Sequence, residues 1–472
     1  MKKRTVIFLC LAFIGVGAAV FLVTSVLGKK APPVKESPVG KATIEQPNIL
    51  LIAVETLRAD HVHTYGYSRD TTPQMDHFAE NAFRFTNLVS TSSWTMPSHM
   101  SMLTGLYPGV HQTTDISLKL DDNIPTLAGV LKNNGYYTAG FVSNHLLESH
   151  FGFGKGFDCY DDFTMNLAAR GETEELVRTS PPLNEAVLTW LRTNYNKRFF
   201  LFVHYFDPHY AYNPPPPYDT LFDPGYKGNV DGCHIETLKP NISRKNLNHV
   251  ISLYDGEIRY TDEYIGALLK ELETLGINEK TLIVLIGDHG EEFFEHGGTR
   301  HGETLYNEAI RVPLIIKLPG SHKPAVINTL ASDVDLMPTI CDYLKVSPPP
   351  GLQGKSLLPA MNGTAGEERS YVFSELTVAY THVTKAIVSR DYKFICHLDT
   401  GTRELYDLAH DPGEKRNLVK TEQQKAAELE RELMNFVVSC TRQVSALGST
   451  GNNTVVHDEE TKKKLKSLGY MQ

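Results

Sequence analysis

The chain has 472 residues, which is enough for one large domain or two smaller ones with a sizeable core. Hydrophobic residues make up 41% of the sequence and charged residues 21%, as in an ordinary globular protein. The formal net charge of −9 argues against a nucleic-acid-binding protein, because such proteins need surfaces with clustered Lys and Arg.

The first predicted element is an uncharged apolar segment, residues 5–28. As a helix it would be about 36 Å long, which is enough to cross a bilayer with some tilt. We predict a single-pass membrane anchor with a short cytoplasmic N-terminus, residues 1–4, and an extracytoplasmic catalytic domain. The alternative is a signal peptide that is cleaved near "GVGAA", followed by secretion. Residues 29–46 lack apolar periodicity and are predicted to form a linker.

Continuous apolar runs and amphipathic stretches alternate from residue 47 to about residue 365. Helical patterns include "IRYTDEYIGALLKELETLG" and "MPTICDYL". The apolar runs are typical of strands buried on both faces; they are "NILLIAVE", "YYTAGFVSN", "RFFLFVHYF", "TLIVLIGDHG" and "VPLIIKLP". This alternation predicts an α/β catalytic domain, residues 47–365, with a mostly parallel central sheet flanked by helices.

The pattern changes near residue 366, where the predicted strands become shorter. The segments "SYVFSEL", "THVTKAIVSRDYKFICHL" and "RELYDL" are separated by turn residues. They predict a smaller antiparallel subdomain over residues 366–420. Residues 421–472 are predicted to form a C-terminal helix and a basic tail.

Ionisable residues follow three of the buried runs. They are Glu55 after the first run, His204, Asp207 and His209 at the end of the third, and Asp288 and His289 after the fourth. In a parallel sheet such residues meet at the carboxyl edge, where ligands bind. One polar residue at a strand end is usually only solvated. Several carboxylates at one edge repel each other unless a cation lies among them.

The segment "SSWTMPSHMSM" predicts a helix that begins close to Thr95, because Pro97 suits a first helical turn. Thr95 is then either a helix cap or a nucleophile that faces an anionic ester. A hydroxyl is a poor nucleophile near neutral pH. We therefore expect one divalent cation bound by Glu55, Asp288 and His289, together with Thr95 itself. Mn²⁺ or Zn²⁺ suits oxygen and imidazole ligands, with Ca²⁺ as an alternative.

Six segments together resemble the sulfatase family, within the alkaline phosphatase superfamily. They are "NILLIAVETLRADHVHTYGY", "TMPSHMSMLTGLYP", "GDHGEEFFEHG", "HGETLYNEAIRVPLII", "ELYDLAHDPGEKRNL" and "LKSLGYM". The resemblance extends from residue 47 to the C-terminus. It implies a central, mostly parallel sheet with a smaller C-terminal sheet, and an enzyme that acts on sulfuric or phosphoric esters.

The nucleophile segment departs from the family pattern. Typical sulfatases carry Cys or Ser where Thr95 stands, oxidise it to formylglycine, and place Arg where this chain has His99. Because Thr is not a substrate for that oxidation, no formylglycine is expected. The set of Glu55, Thr95, Asp288 and His289 instead resembles the single-metal sites of phosphoethanolamine transferases and lipoteichoic acid synthases, in which Thr becomes phosphorylated.

The same resemblance implies which further side chains contact the substrate. His301 and His209 are expected to act in catalysis, one of them as general acid to the leaving alkoxide. His204 and His145 are expected to bind the charged oxygens of the substrate. Arg58 follows Glu55 closely enough to bind substrate at the same edge, or else it pairs with a carboxylate.

These expectations lead to one main hypothesis and two alternatives. The main hypothesis is a hydrolase that cleaves a sulfate or phosphate ester of a small molecule, glycan or lipid head group. The first alternative is a transferase that passes a phospho group to an envelope lipid or glycan. The second alternative is an inactive protein that only binds a glycan, because the formylglycine position is lost.

Overall fold

The computed structural model describes residues 46–162, 178–320, 323–364, 369–378, 382–448 and 453–455, together with 457 and 462. The predicted anchor and most of the predicted linker and tail lie outside these residues. Within the described ranges, no helix is both long and apolar enough to cross a membrane. Pro47–Gln472 forms one compact unit, and the predicted boundaries at residues 365 and 420 stay a prediction.

Strands and helices alternate through most of the described chain. The strands are β1 Asn48–Val54, β2 Phe83–Phe85, β3 Leu88–Val89, β4 Tyr137–Phe141, β5 Cys159–Asp161, β6 Phe199–Tyr205, β7 Thr281–Gly287, β8 Glu292–Phe293, β9 Thr299–Arg300, β10 Leu314–Lys317, β11 Ala325–Ile327, β12 Ala331–Ser332, β13 Val372–Val378, β14 His382–Val388, β15 Tyr392–His397 and β16 Arg403–Asp407. The α-helices are α1 Pro73–Ala79, α2 Thr95–Thr104, α3 Pro108–His111, α4 Leu127–Asn133, α5 Ser180–Asn194, α6 Arg244–Thr274, α7 Asn307–Ile310, α8 Leu336–Leu344, α9 Leu358–Met361 and α10 Gln423–Leu447.

The central sheet has eight strands in the order β11, β2, β10, β7, β1, β6, β4 and β5. The five strands from β7 to β5 run parallel to one another. Strand β10 pairs antiparallel, with β7 on one side and β2 on the other. The prediction of a mostly parallel central sheet flanked by helices is therefore confirmed.

Both faces of the central sheet are covered, which explains the continuous apolar runs. Along β1, Ile49, Leu51 and Ala53 join the core cluster that contains residues of α2. The alternate residues of β1 join a second cluster, with residues of α5 and α6, on the opposite face. Because side chains alternate along a strand, every residue of β1 becomes buried in one of these two cores.

The register of the parallel strands brings three strand ends to the same level. Val54, the last residue of β1, lies opposite Gly287 on β7 and Tyr205 on β6. Backbone groups continue the pairing for one further step, since the Glu55 N–H donates to the Tyr205 carbonyl at 2.9 Å. The residues that follow β1 and β7 are therefore neighbours at one edge of the sheet.

A second sheet near the C-terminus contains β13, β14, β15 and β16, and all of its pairings are antiparallel. Helix α10 packs on this sheet, and the rings of Phe373 and Phe436 stack with centroids 3.7 Å apart. This arrangement confirms the predicted smaller antiparallel sheet. Both faces of this sheet are buried: Phe394 and Cys396 of β15 join the core cluster that contains α10, and Ile395 joins a cluster with Leu305 and Ile310.

Candidate active site

Four side chains from three elements meet at the carboxyl edge of the central sheet. Glu55 directly follows β1, Asp288 and His289 directly follow β7, and Thr95 is the first residue of α2. All four are fully buried. The level ends of β1 and β7 place Glu55 beside Asp288, and the start of α2 brings Thr95 to the same point.

Thr95 does not cap its own helix. The N-cap position of α2 is Trp94, and no side chain makes a capping hydrogen bond there. The Thr95 hydroxyl instead donates a short hydrogen bond to Glu55 Oε1, and it lies 3.5 Å from His289 Nε2. The hydroxyl is therefore turned toward the ionisable residues at the sheet edge.

Glu55 is surrounded by donors. Its Oε1 also accepts a hydrogen bond from Asn144 Nδ2 at 3.0 Å. Its Oε2 lies 2.6 Å from His204 Nε2, although the two atoms are not aligned as in a regular hydrogen bond. Burial by itself raises the pKa of Glu55, but His204 and His289 outweigh burial and hold the pKa well below its ordinary value. Glu55 is therefore ionised near neutral pH.

Asp288 has one satisfied and one unsatisfied oxygen. Its Oδ1 accepts hydrogen bonds from the backbone N–H groups of Thr56 at 2.9 Å and His289 at 2.7 Å. Its buried Oδ2 has no hydrogen-bond partner and lies 3.3 Å from His289 Nε2. Burial and the nearby Glu55 raise the pKa of Asp288. Asp288 and Glu55 in turn raise the pKa of His289 against the effect of burial.

This cluster has the composition of a cation site. Glu55, Asp288 and His289 each offer a ligand atom, and the three atoms lie within 4.8 Å of one another. His289 Nδ1 donates to the Gly290 carbonyl at 2.9 Å, so a bound cation would take the place of the second ring proton, at Nε2. A metal-binding histidine is usually held in this way by a carbonyl behind it.

A second set, His99, His204 and Asp288, is equally compact but less suited to a cation. His99 Nδ1 donates to the Thr95 carbonyl at 3.0 Å, which leaves the lone pair of His99 on the buried Nε2, so the difference lies in His204. His204 Nδ1 accepts from the Ser143 N–H at 3.4 Å, which places the other ring proton on Nε2, toward Glu55. His204 is fully buried and lies against Glu55, and its substrate-binding role stays a prediction.

His209 and His301 form a pair beside the cluster. Their ring centroids are 4.9 Å apart, and the His301 ring centroid is 4.4 Å from that of His289. His301 Nδ1 lies 3.0 Å from Glu291 Oε1. Burial and the neighbouring His301 lower the pKa of His209 to about 4. The two predicted catalytic histidines are therefore together, and they are close to the candidate cation site.

Arg58 is fully engaged by other groups. Its guanidinium lies 2.8 Å from Asp60 Oδ2 and 2.5 Å from Glu295 Oε1, and it donates to the Glu291 carbonyl at 2.8 Å. This pairing agrees with the alternative, a pair with carboxylates, and the substrate-binding role of Arg58 stays a prediction.

Two other predicted polar residues also have local partners. Asp207 accepts a hydrogen bond from the Ser180 N–H at 2.7 Å, so it faces the start of α5. His145 Nδ1 lies 2.5 Å from Glu148 Oε1. The substrate-binding role of His145 stays a prediction.

Several residues that support the cluster were missed by the sequence analysis. Asn144 could have been found, because it follows β4 much as Glu55 follows β1. Ser90 and Ser98 donate to the Asp288 carbonyl at 2.6 and 2.7 Å, and both lie near the buried Asp333. No sequence pattern singled out Ser90 or Asp333, because their contacts join segments more than 180 residues apart.

Comparisons with known proteins agree with this geometry. The sulfatase family profile matches residues 47–346, and the profile of the N-sulphoglucosamine sulphohydrolase C-terminal region matches residues 295–442. Delta 4,5-hexuronate-2-O-sulfatase of Bacteroides thetaiotaomicron is 25% identical over 418 residues, covering 80% of this chain and 85% of the relative.

Solved structures show the same fold. Phosphonate monoester hydrolase of Agrobacterium radiobacter is 21% identical with a TM-score of 0.70, covering 84% of this chain and 96% of the other. A protein solved in complex with its substrate D-glucosamine-2-N,6-O-disulfate is 20% identical with a TM-score of 0.71, covering 86% and 100%. The family profile covers more than half of the sequence. The chain therefore belongs to the sulfatase family, a family of enzymes that hydrolyse sulfuric or phosphoric esters.

Proposed function

We propose that the chain is a metal-dependent hydrolase of sulfate or phosphate esters, with Thr95 as the nucleophile. The observation that carries this proposal is the contact of the buried Thr95 hydroxyl with Glu55, beside Asp288 and His289. A capping threonine would instead accept a hydrogen bond from an N–H group of its own helix. The hydroxyl is thus placed for chemistry at the sheet edge.

The donor set fits a divalent cation. Asp288 Oδ2 is buried without a hydrogen-bond partner, and an unpaired buried carboxylate oxygen costs about 1–3 kcal/mol or more. Glu55, Asp288 and His289 would hold the cation, with Thr95 as a fourth ligand. These oxygen and imidazole ligands, without thiolate, suit Mn²⁺ or Zn²⁺. The cation would stabilise negative charge on the Thr95 oxygen and on the ester oxygens.

The residues of the cluster support a two-step reaction. In the first step the Thr95 oxygen bonds to sulfur or phosphorus, and the bond to the leaving oxygen breaks. Glu55 receives the hydrogen bond of the hydroxyl and is placed to accept its proton, while a histidine protonates the leaving alkoxide. In the second step water attacks the Thr95 ester. Glu55 then returns the proton to Thr95, and the histidine takes a proton from the water.

His301 fits the role of general acid better than His209. The Glu291 carboxylate lies 3.0 Å from His301 Nδ1 and orients the ring, so Nε2 is available to the leaving group. Burial raises the pKa of Glu291, but His301 outweighs it, and the net pKa is lowered. Burial lowers the pKa of His209 to about 4, so near neutral pH His209 is a neutral imidazole and a much weaker acid than an imidazolium.

The relatives support a sulfated sugar as the substrate class. The named relative removes a 2-O-sulfate from a hexuronate, and one structural neighbour binds a glucosamine disulfate. The fold is also shared with a phosphonate monoester hydrolase, so phosphorus esters belong in the same assay.

The experiment uses the full-length chain with Mn²⁺, Zn²⁺ or Ca²⁺ added in turn. Hydrolysis of an aryl sulfate, an aryl phosphate and an aryl phosphodiester is followed for wild type, Thr95→Ala and Thr95→Ser. We expect Thr95→Ala to lose at least about 10³-fold in kcat, because the nucleophile is absent. Thr104→Ala is the matched control: Thr104 is buried on the same helix, but its hydroxyl donates to the Met100 carbonyl at 2.7 Å.

Each other outcome has a definite meaning. Substantial turnover by Thr95→Ala would refute the nucleophile assignment. Turnover that needs an added acceptor alcohol would identify a transferase. No turnover, with no metal detected by elemental analysis after metal loading, would leave only a binding function.

A further inference from the structure

The positively charged Arg300 lies next to the pair of His209 and His301. Arg300 is partly exposed, and within the described part of the chain its side chain makes no hydrogen bond or ion pair. Its guanidinium carbon lies 5.7 Å from the ring centroid of Tyr210. Arg58, by contrast, is neutralised by two carboxylates.

The neighbours of Arg300 place it beside the two histidines of the candidate site. Arg300 directly precedes His301, and Tyr210 directly follows His209. Because the rings of the two histidines are 4.9 Å apart, the Arg300–Tyr210 contact lies beside the group that we propose to protonate the leaving alcohol. A group on the leaving side of the substrate would therefore meet Arg300.

The backbone at Arg300 is unusual for an arginine. Its φ is +68°, in the left-handed region that favours glycine, although Gly297, Gly298 and Gly302 are close by in the sequence. Non-glycine residues in this conformation cost free energy and concentrate at ligand-binding positions. A glycine would suit this backbone position better, so the presence of an arginine indicates a function for its side chain.

The hairpin of β8 and β9 keeps the guanidinium free. Glu292 lies directly across from Arg300 in the register and would be its natural partner. However, Glu292 is buried and makes no ion pair with Arg300: its Oε1 accepts from Thr304 Oγ1 at 2.7 Å, and its Oε2 has no hydrogen-bond partner. The packing of Arg300 on Tyr210 then holds an uncompensated positive charge in a fixed position.

We propose that Arg300, held by Tyr210, binds a second oxyanion of the substrate, such as a sulfate on the leaving sugar. This inference rests on the proposed function and deepens it, because it predicts a sugar with two anionic groups. A planar guanidinium matches an oxyanion with two parallel hydrogen bonds, which a lysine ammonium does not.

The test measures binding by calorimetry to metal-loaded Thr95→Ala protein, so that the ligand is not consumed. The probes are D-glucosamine-2-N,6-O-disulfate and D-glucosamine-6-O-sulfate. Adding Arg300→Met should weaken binding of the disulfate by about tenfold or more, and binding of the monosulfate by less than about twofold. Arg300→Lys should recover part of the loss.

Two further variants serve as controls for loss of folding and for a nonspecific effect of removing an arginine. Arg300→Gly removes the side chain and suits the positive φ, so it should keep the wild-type Tm while losing the same affinity. Arg84→Met is the matched control, since Arg84 also lies over a tyrosine, 5.5 Å from the Tyr65 ring centroid. It should leave both affinities unchanged.

Three outcomes would overturn the proposal. They are equal affinities for the disulfate with and without Arg300, equal losses for both sugars, and no binding of either sugar by the Thr95→Ala protein. Hydrolysis of the aryl esters by wild type is measured separately. If that hydrolysis fails while Arg300 still selects the disulfate, the proposed chemistry is wrong and the second-oxyanion site stands.

Discussion

Glu55 is the residue on which the candidate site depends most, because four other side chains act on its carboxylate. Thr95 and Asn144 donate to the same oxygen, His204 lies against the other oxygen, and His289 helps to lower the Glu55 pKa. These contacts keep the carboxylate ionised and fix its direction. Among them, the contact from Asn144 is the easiest to test, since Asn144 itself is not a proposed ligand.

Replacing Asn144 by Asp should reduce kcat/KM by about 10- to 100-fold, as is typical when a group that orients a metal ligand is lost. The Asp side chain can still accept from the Leu146 N–H, which Asn144 does at 2.9 Å, so the local fold should persist. It would, however, place a carboxylate against Glu55 instead of a donor. Steady-state kinetics and thermal unfolding would check both statements.

Asn134→Asp is the control for this substitution. Asn134 is exposed, and its amide donates to the Val130 carbonyl at 2.8 Å, far in the fold from Glu55. Wild-type kinetics in both variants would mean that the Asn144 contact does not orient Glu55.

At the scale of single residues, the sequence predicted which ionisable residues lie at the strand ends. It did not predict which side chains form ion pairs with each other. Glu55, Asp288 and His289 follow buried apolar runs, so the sequence alone indicated where they would meet. Arg58 pairs with the nearby Asp60, but its second partner, Glu295, is 237 residues away in the chain. A contact of that kind is decided by how the loops fold over the sheet edge, and no local pattern records it.

Elements of the C-terminal sheet support the loop that carries His301. Lys393 on β15 is fully buried, lies 2.7 Å from Glu414 Oε1 and donates to Asn307 Oδ1 at 2.8 Å. Glu414 Oε2 accepts from the Asn307 N–H at 2.6 Å. The same segment reaches the site, because the Gly290 N–H donates to the Ala309 carbonyl at 2.8 Å. We call the ion pair of Lys393 with Glu414 the Lys393–Glu414 pair.

Lys393→Met should destabilise the protein by about 3–5 kcal/mol, because it leaves Glu414 buried without its counter-ion. The double variant with Glu414→Gln should recover part of that loss. Urea unfolding would measure these free energies, with Lys425→Met as control. Lys425 pairs with Glu428 in a more exposed position, where such a pair contributes only about 0–1 kcal/mol. Equal effects of the two Lys variants would contradict the buried-pair argument.

At the scale of elements, the sequence predicted the central strands more accurately than the bounds of the helices. Runs such as "TLIVLIGDHG" are apolar at every position because helices cover both faces, whereas a strand with one face in water alternates apolar and polar residues. The helix pattern "IRYTDEYIGALLKELETLG" indicated only part of α6, which begins earlier, at Arg244. Its first turns carry more polar residues, so the apolar periodicity is weaker there.

The whole molecule should be more stable with the cation than without it, because the ligands come together only in the folded chain. At a free concentration about 1,000 times Kd, binding adds about 4 kcal/mol to the free energy of unfolding. We therefore expect a chelator to lower the Tm by a few degrees, as measured by calorimetry with Mn²⁺ and after its removal.

His289→Ala should abolish this dependence of Tm on the cation. His249→Ala is the matched control, since His249 pairs with Asp223 on the surface side of α6. A cation effect of the same size in His289→Ala and wild type would exclude His289 as a ligand.

The order of the elements along the chain predicted the architecture of the central sheet. It did not predict how the C-terminal sheet contacts the central sheet. Alternating strands and helices predict a parallel sheet with a ligand edge. That the C-terminal sheet supports this edge depends on Lys393 reaching the Leu305 carbonyl, at 3.1 Å and 88 residues away. The sequence around Lys393 does not indicate which residue this lysine contacts.

If the proposed cation site is correct, the equal level of β1 and β7 also limits which ions it can select. Glu55 and Asp288 stand on adjacent strands, whose separation is held at about 4.8 Å by peptide hydrogen bonds. Mutation of the core cannot widen or narrow that gap. Ionic radius is therefore matched by side-chain reach alone, and the extra methylene of Glu55 relative to an aspartate is the dimension that evolution, or an engineer, can adjust.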